Sequence, residues 1–124
     1  MGYKKSFSEA ELKYWSEYKV KIGKSESMKE TKKIFSMVIA DFVKEIEPEL
    51  NPVYNEFDGD FQLDVKETKG YKVSKKIDDS PYYRNLVEFS DLPSIIEKYA
   101  EMGINKIIRQ SKNQENTNGK KIIH

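Results

Sequence analysis

The sequence predicts an α+β fold: two N-terminal helices packed on a small, mainly antiparallel sheet of three to four strands, with one further helix and a disordered C-terminal tail. Three observations point there. Two capping-box patterns open apolar stripes of helical period in the first half of the chain. An Asp58-Gly59 pair stands between two short apolar runs, as in a tight hairpin. Residues 111–124 are polar, rich in Asn, Gln and Lys, and without period, so a single domain is expected over 1–110 and a tail over 111–124.

The first helix is expected from about 9 to 21. Ser8 and Glu11 have capping-box spacing, Phe7 and Leu12 the spacing of a hydrophobic staple, and Leu12, Trp15, Tyr18 and Ile22 recur on one helical face before Gly23. Ser27 with Glu30 opens the second helix, whose stripe (Ile34, Phe35, Val38, Ile39, Phe42, Val43, Ile46) is broad enough for a central buried helix. Pro48 ends it, because proline lacks the N–H and clashes with the preceding turn. Strands follow over 53–57 and 61–66, where Phe61, Leu63 and Val65 alternate with polar residues. Gly70 turns the chain into a third strand over 71–77. Pro81-Tyr82-Tyr83 reads as a loop leading into the apolar run Leu86 to Phe89. Ser90 or Asp91 caps a last helix with Pro93 in its first turn, Gly103 ends it, and 104–109 is a candidate fourth strand.

A chain of 124 residues is one domain's worth, with one core. Charged residues make up 35% of it and cysteine is absent, which excludes a disulfide framework and a thiolate zinc site. With no apolar run of membrane-spanning length and no signal-peptide pattern at the N-terminus, the expectation is a cytoplasmic protein with no membrane partner. Net charge is only +1, but it is laid out in blocks: residues 1–33 carry nine Lys against five Glu, and residues 41–64 eight acids against one Lys. Blocks of this kind favour electrostatic complementarity, within the fold or with a partner.

His124 is the only histidine and lies at the end of the expected tail, so neither a histidine general base nor a histidine metal centre is expected, and no Walker or dinucleotide-binding glycine pattern occurs. No catalytic residue, metal site or cofactor is assigned. On a strand, Asp64 and Lys66 would project from one face, with Asp58, Asp60 and Glu45 near by, and a carboxylate cluster beside a lysine suits metal-assisted hydrolysis. In element order over roughly residues 28–109, this arrangement resembles the PD-(D/E)xK nuclease superfamily, which implies Mg²⁺-dependent cleavage of nucleic acid. The same acid-x-Lys spacing recurs at Glu11/Lys13, Glu17/Lys19, Glu30/Lys32 and Glu67/Lys69, so spacing alone does not single out Asp64.

The acids of the hairpin (Glu56, Asp58, Asp60, Asp64) read more simply as an acidic patch able to imitate nucleic-acid phosphates towards a basic partner. Tyr82, Tyr83 and Arg84 are the residue types that dominate interface energetics. These seven are the expected partner-binding residues. The expected role is a small non-enzymatic binding or regulatory protein that acts by protein–protein contact on a nucleic-acid-binding host protein. Inhibitors of host nucleases or defence complexes carried by phages or mobile elements, of the anti-CRISPR or anti-restriction type, have this size and style. A nuclease of the organisation above, or a small nucleic-acid-binding accessory protein using the basic features Lys4/Lys5, Lys29/Lys32/Lys33, the run Lys66 to Lys76 and the tail, are the alternatives.

Overall fold

The first helix, α1, spans Ser8–Lys24 in the computed structural model, which describes residues 5–54 and 59–123, with side chains as far as Lys112. Trp15, Tyr18 and Ile22 face inward as their spacing predicts, but Leu12 is exposed and Glu11 takes the inward position instead. The reason lies at the helix start. Ser8 makes no cap; the entering segment is tied to Asp91, which accepts from the Phe7 N–H and the Ser6 hydroxyl, each at 2.9 Å. Lys5 forms an isolated parallel bridge with Ser90. That anchorage, rather than a Phe7–Leu12 staple, sets the rotation of the helix.

Helix α2 (Met28–Ile46) is the central element expected. The Ser27 hydroxyl accepts from the Glu30 N–H at 3.0 Å, while the Glu30 carboxylate reaches the Glu26 N–H, one residue upstream of the usual capping-box partner. Ile34, Phe35, Val38, Ile39, Phe42 and Val43 are all buried, each worth about 1.5–3 kcal/mol for its larger side chains. A 3₁₀ turn, Pro48–Leu50, ends on Asn51 in the left-handed region (φ 41°).

The sheet is smaller than predicted. It has two antiparallel strands, β1 (Phe61–Leu63) and β2 (Tyr71–Val73), with Phe61 opposite Val73 and Leu63 opposite Tyr71. Gly70 turns between them at φ 86°, as its position suggests. Val53 and Tyr54 are not in a strand, and residues 55–57 of the expected first strand lie outside the described residues, as does Asp58 of the expected turn. The expected third strand stops at Val73 because Ser74 caps a short helix, α3 (Lys75–Asp78), accepting from the Ile77 N–H. The loop and apolar run over 81–89 are likewise helix α4 (Pro81–Phe89): Ser80 is its N-cap and Pro81 its first residue, a position where proline has no N–H to forfeit.

The fourth strand is also helix. Helix α5 (Leu92–Ile123) starts with the Ser90 hydroxyl accepting from the Leu92 N–H, and it passes through Gly103 without a break. Gly103 is there for close packing, not for a stop: a β-carbon at 103 would lie 2.6 Å from Leu63 Cδ1. The region read as a tail, 111–124, carries the α5 backbone as far as Ile123, and its side chains beyond Lys112 lie outside the described residues.

Three helices form the body. Glu11 meets Lys98, Tyr18 meets Tyr99, Gly23 meets Lys106 and Ser25 meets Gln110, so α1 and α5 run parallel. Helix α2 returns antiparallel between them, and Phe61, Leu63 and Tyr71 lay the hairpin against the same core. No helix among the described residues is long and apolar enough to cross a membrane.

Candidate functional site

The residues expected to form a contact surface are dispersed. Glu56 and Asp58 lie outside the described residues. Asp60 is buried and employed internally: its Oδ2 accepts from the Val53 N–H at 2.8 Å and its Oδ1 from the Ser74 hydroxyl at 2.7 Å. Asp64 follows the end of β1 and accepts from the Lys66 N–H at 2.9 Å, so Asp64 and Lys66 sit in a turn and not on one strand face. Glu45 is engaged elsewhere, by the Tyr14 hydroxyl at 2.8 Å and Lys13 at 3.0 Å, and these partners hold its carboxyl below the usual range.

Tyr82, Tyr83 and Arg84 lie on α4. Tyr83 is buried edge-to-face on Phe61, and burial pushes its phenol up. Tyr82 faces out, and Arg84 pairs with Asp79 at 3.6 Å. Tyr71, among the lysines of the hairpin, is buried against Phe35 and has no face to offer a base. Among the described residues, no three His, Asp or Glu side chains gather closely enough to hold a metal ion.

A concave surface lies between α1 and α5. Trp15, Met102 and Ile108 line an open depression of ≈ 600 Å³, with Lys98, Glu101, Asn105 and Arg109 around it. Each wall follows from helix geometry. Lys98, Met102, Asn105 and Arg109 are three or four residues apart, so they stack along one face of α5 beside Trp15 on α1.

Trp15 is held from several sides. The Lys98 ammonium sits 4.2 Å from its ring centroid, Tyr99 packs edge-on at 5.0 Å, and the Lys19 ammonium lies at 5.8 Å. Lys98 is fixed in turn by the buried Glu11 carboxylate, at 2.9 and 3.1 Å, which also accepts from the Tyr99 hydroxyl at 3.2 Å. Burial, with Glu11 beside it, pushes the Tyr99 phenol up, and burial alone does the same to Tyr18. Both phenols therefore keep their protons near neutrality. The arrangement orients an indole.

This groove was not visible in the sequence, because it requires α5 to run through Gly103. The signal was present: the spacing of Lys98, Met102, Asn105 and Arg109 stays helical across the glycine, with no proline to interrupt it. Compared with protein-family models, curated proteins and solved structures, the chain gives no match in any of the three.

Proposed function

We propose that this is a non-enzymatic binding protein that acts by protein–protein contact, and that the groove between α1 and α5 is its contact surface. The observation that carries the reading is the fixed, half-exposed Trp15 in a concave site lined also by the exposed Ile108, with the exposed Leu12 three residues before Trp15 on α1. Interface energy concentrates in aromatic anchors that are already held in place, because little side-chain entropy is then lost on binding. Lys98 covers a face of the indole, which disfavours base stacking and favours an apolar partner surface. A small chain working by contact suits a regulatory role, such as inhibition of a host nuclease or defence complex by a phage or mobile element.

Trp15 is the only tryptophan and reports on its own site. A photo-crosslinker at Asn105 is expected to capture a partner from the native host, and the purified partner to shift Trp15 fluorescence. Leu12→Asp and Ile108→Asp should abolish capture while Tyr82→Asp leaves it intact. Capture lost only with Tyr82→Asp would move the surface to α4 and sink the assignment to the groove.

A further inference from the structure

The end of the bundle where α1 finishes, α2 begins and α5 passes them carries a concentration of positive charge, of which Lys21 is paired with Glu17 at 2.7 Å and Lys19 lies over Trp15. From Tyr18 to Lys33 there are six Lys and two Glu, and from Met102 to Lys112 two Lys and one Arg with no acid. Contacts between the helices bring these stretches together. Lys106 donates to the Gly23 carbonyl at 3.2 Å, and Gln110 bonds to both Thr31 (3.0 Å) and the Ser25 carbonyl (3.4 Å). Lys24 lies between Gly23 and Ser25, Lys32 and Lys33 follow Thr31, and Arg109 and Lys112 flank Gln110. All five are exposed.

Internal neutralisation is limited. The two acids in these stretches are Glu26 and Glu30, and the Glu30 carboxylate is committed to the start of α2. The acids Asp41 and Glu45 are in the second half of α2, and Glu47 and Glu49 lie beyond it. Eight residues of helix separate Lys33 from Asp41, the first of these acids, roughly 12 Å at 1.5 Å per residue, about one and a half times the ~8 Å screening length at physiological ionic strength. The acidic end therefore leaves the basic end's field largely intact. Helix dipoles account for part of the pattern, since Lys21 and Lys24 occupy the last turn of α1, but not for Lys32 and Lys33 in the first half of α2 or for Arg109 and Lys112 within α5.

We infer that this end of the bundle binds the phosphate backbone of nucleic acid, through Lys24, Lys32, Lys33, Arg109 and Lys112. An acidic protein is the competing occupant. Tight protein contacts need an aromatic or apolar anchor, and no aromatic side chain is exposed between Tyr18 and Lys33 or between Met102 and Lys112. A rim of cations contributed by three helices is what phosphate contacts require, and such contacts carry no sequence information. This surface adjoins the Trp15 groove through Arg109, whereas Lys24, Lys32, Lys33 and Lys112 stand outside that groove's lining, so the Lys32→Glu/Lys33→Glu pair tests the inference independently of it.

The test is fluorescence anisotropy of the full chain with a labelled mixed-sequence 20-base-pair duplex and a 20-nucleotide single strand, with polyglutamate as the acidic-polypeptide probe. About four phosphate contacts predict a log–log salt slope near −3.6 on duplex, or a loss of roughly 100-fold in affinity between 50 and 200 mM salt. The pairs Lys32→Glu/Lys33→Glu and Arg109→Glu/Lys112→Glu should each weaken binding at least tenfold and flatten the slope, with unchanged circular dichroism. Lys66→Glu/Lys69→Glu on the hairpin turn should leave the slope as it is. Absence of nucleic-acid binding at 50 mM salt, tighter binding of polyglutamate, or equal losses from the hairpin pair would each overturn the inference.

Discussion

Gly103 and Leu63 approach so closely that a β-carbon on the glycine would lie 2.6 Å from Leu63 Cδ1 and 3.2 Å from Cδ2. The same β-carbon would stand 3.0 Å from the Tyr18 hydroxyl oxygen, itself fixed by donation to the Tyr99 carbonyl at 2.8 Å. Three elements therefore meet at a position with no room for a methyl group. Gly103→Ala sets a gain of about 1 kcal/mol in helix propensity against overpacking of about 1–3 kcal/mol. Because both Leu63 methyls are in the way, rotation of one cannot relieve the clash, and packing wins. Urea denaturation should show a net loss of about 1 kcal/mol, part of which Leu63→Val restores. A more stable Gly103→Ala protein would mean that Leu63 moves aside freely.

That contact also explains what the sequence conceals. Helices α1 and α2 are legible because their apolar residues recur at helical spacing and because Ser27 caps as its pattern predicts. Gly70 is legible as a turn because its conformation, φ 86°, is one that only glycine adopts freely. Gly103 is misleading: a helical glycine needed for close approach looks the same in sequence as one that ends a helix. Pro81 misleads in the same way, since a proline can open a helix as readily as it occupies a loop. The groove beside Trp15 inherits the first error, for three of its walls, Asn105, Ile108 and Arg109, belong to the part of α5 that reads as a strand. The exposed acids and the buried Asp60 differ only in tertiary partners, which no local pattern carries.

Asp60 offers a sharp test of that last difference. An exposed acid can be removed within about ±0.5 kcal/mol. Asp60 instead bridges the chain before β1 to the cap of α3, by way of Val53 and Ser74. Its contact with Lys76, at 3.6 Å, adds little because that lysine is largely in solvent. Asp60→Ala leaves the Val53 N–H and the Ser74 hydroxyl without their acceptor and should destabilise the fold by about 2–3 kcal/mol. Asp60→Asn keeps one acceptor and should cost about 1 kcal/mol. Denaturation curves in which both variants match the parent would return Asp60 to the surface.

The buried phenols predict how the fold fails in alkali. Tyr71 is buried against Phe35, and burial, with the charge of Glu97 adding to it, pushes its phenol up to about 12; Tyr14, under Glu45, is likewise pushed up to about 12. Below the ordinary value near 10, both folded and unfolded chains keep these protons, and the stabilisation is fully present. Between about 10 and 12 the unfolded chain releases protons that the folded one retains, so stability falls as pH rises, by up to about 1.4 kcal/mol per pH unit for a fully buried phenol. Tyr18, Tyr83 and Tyr99 are shifted in the same direction, chiefly by burial, and add to the slope. An alkaline titration should therefore show tyrosinate absorbance rising in two stages, with the second coincident with loss of the helical circular-dichroism signal. Tyr71→Phe should flatten the decline between pH 10 and 12. A single tyrosinate step near pH 10 with the helices intact would show these phenols open to solvent, contrary to the packing of Tyr18, Tyr71, Tyr83 and Tyr99 in the core.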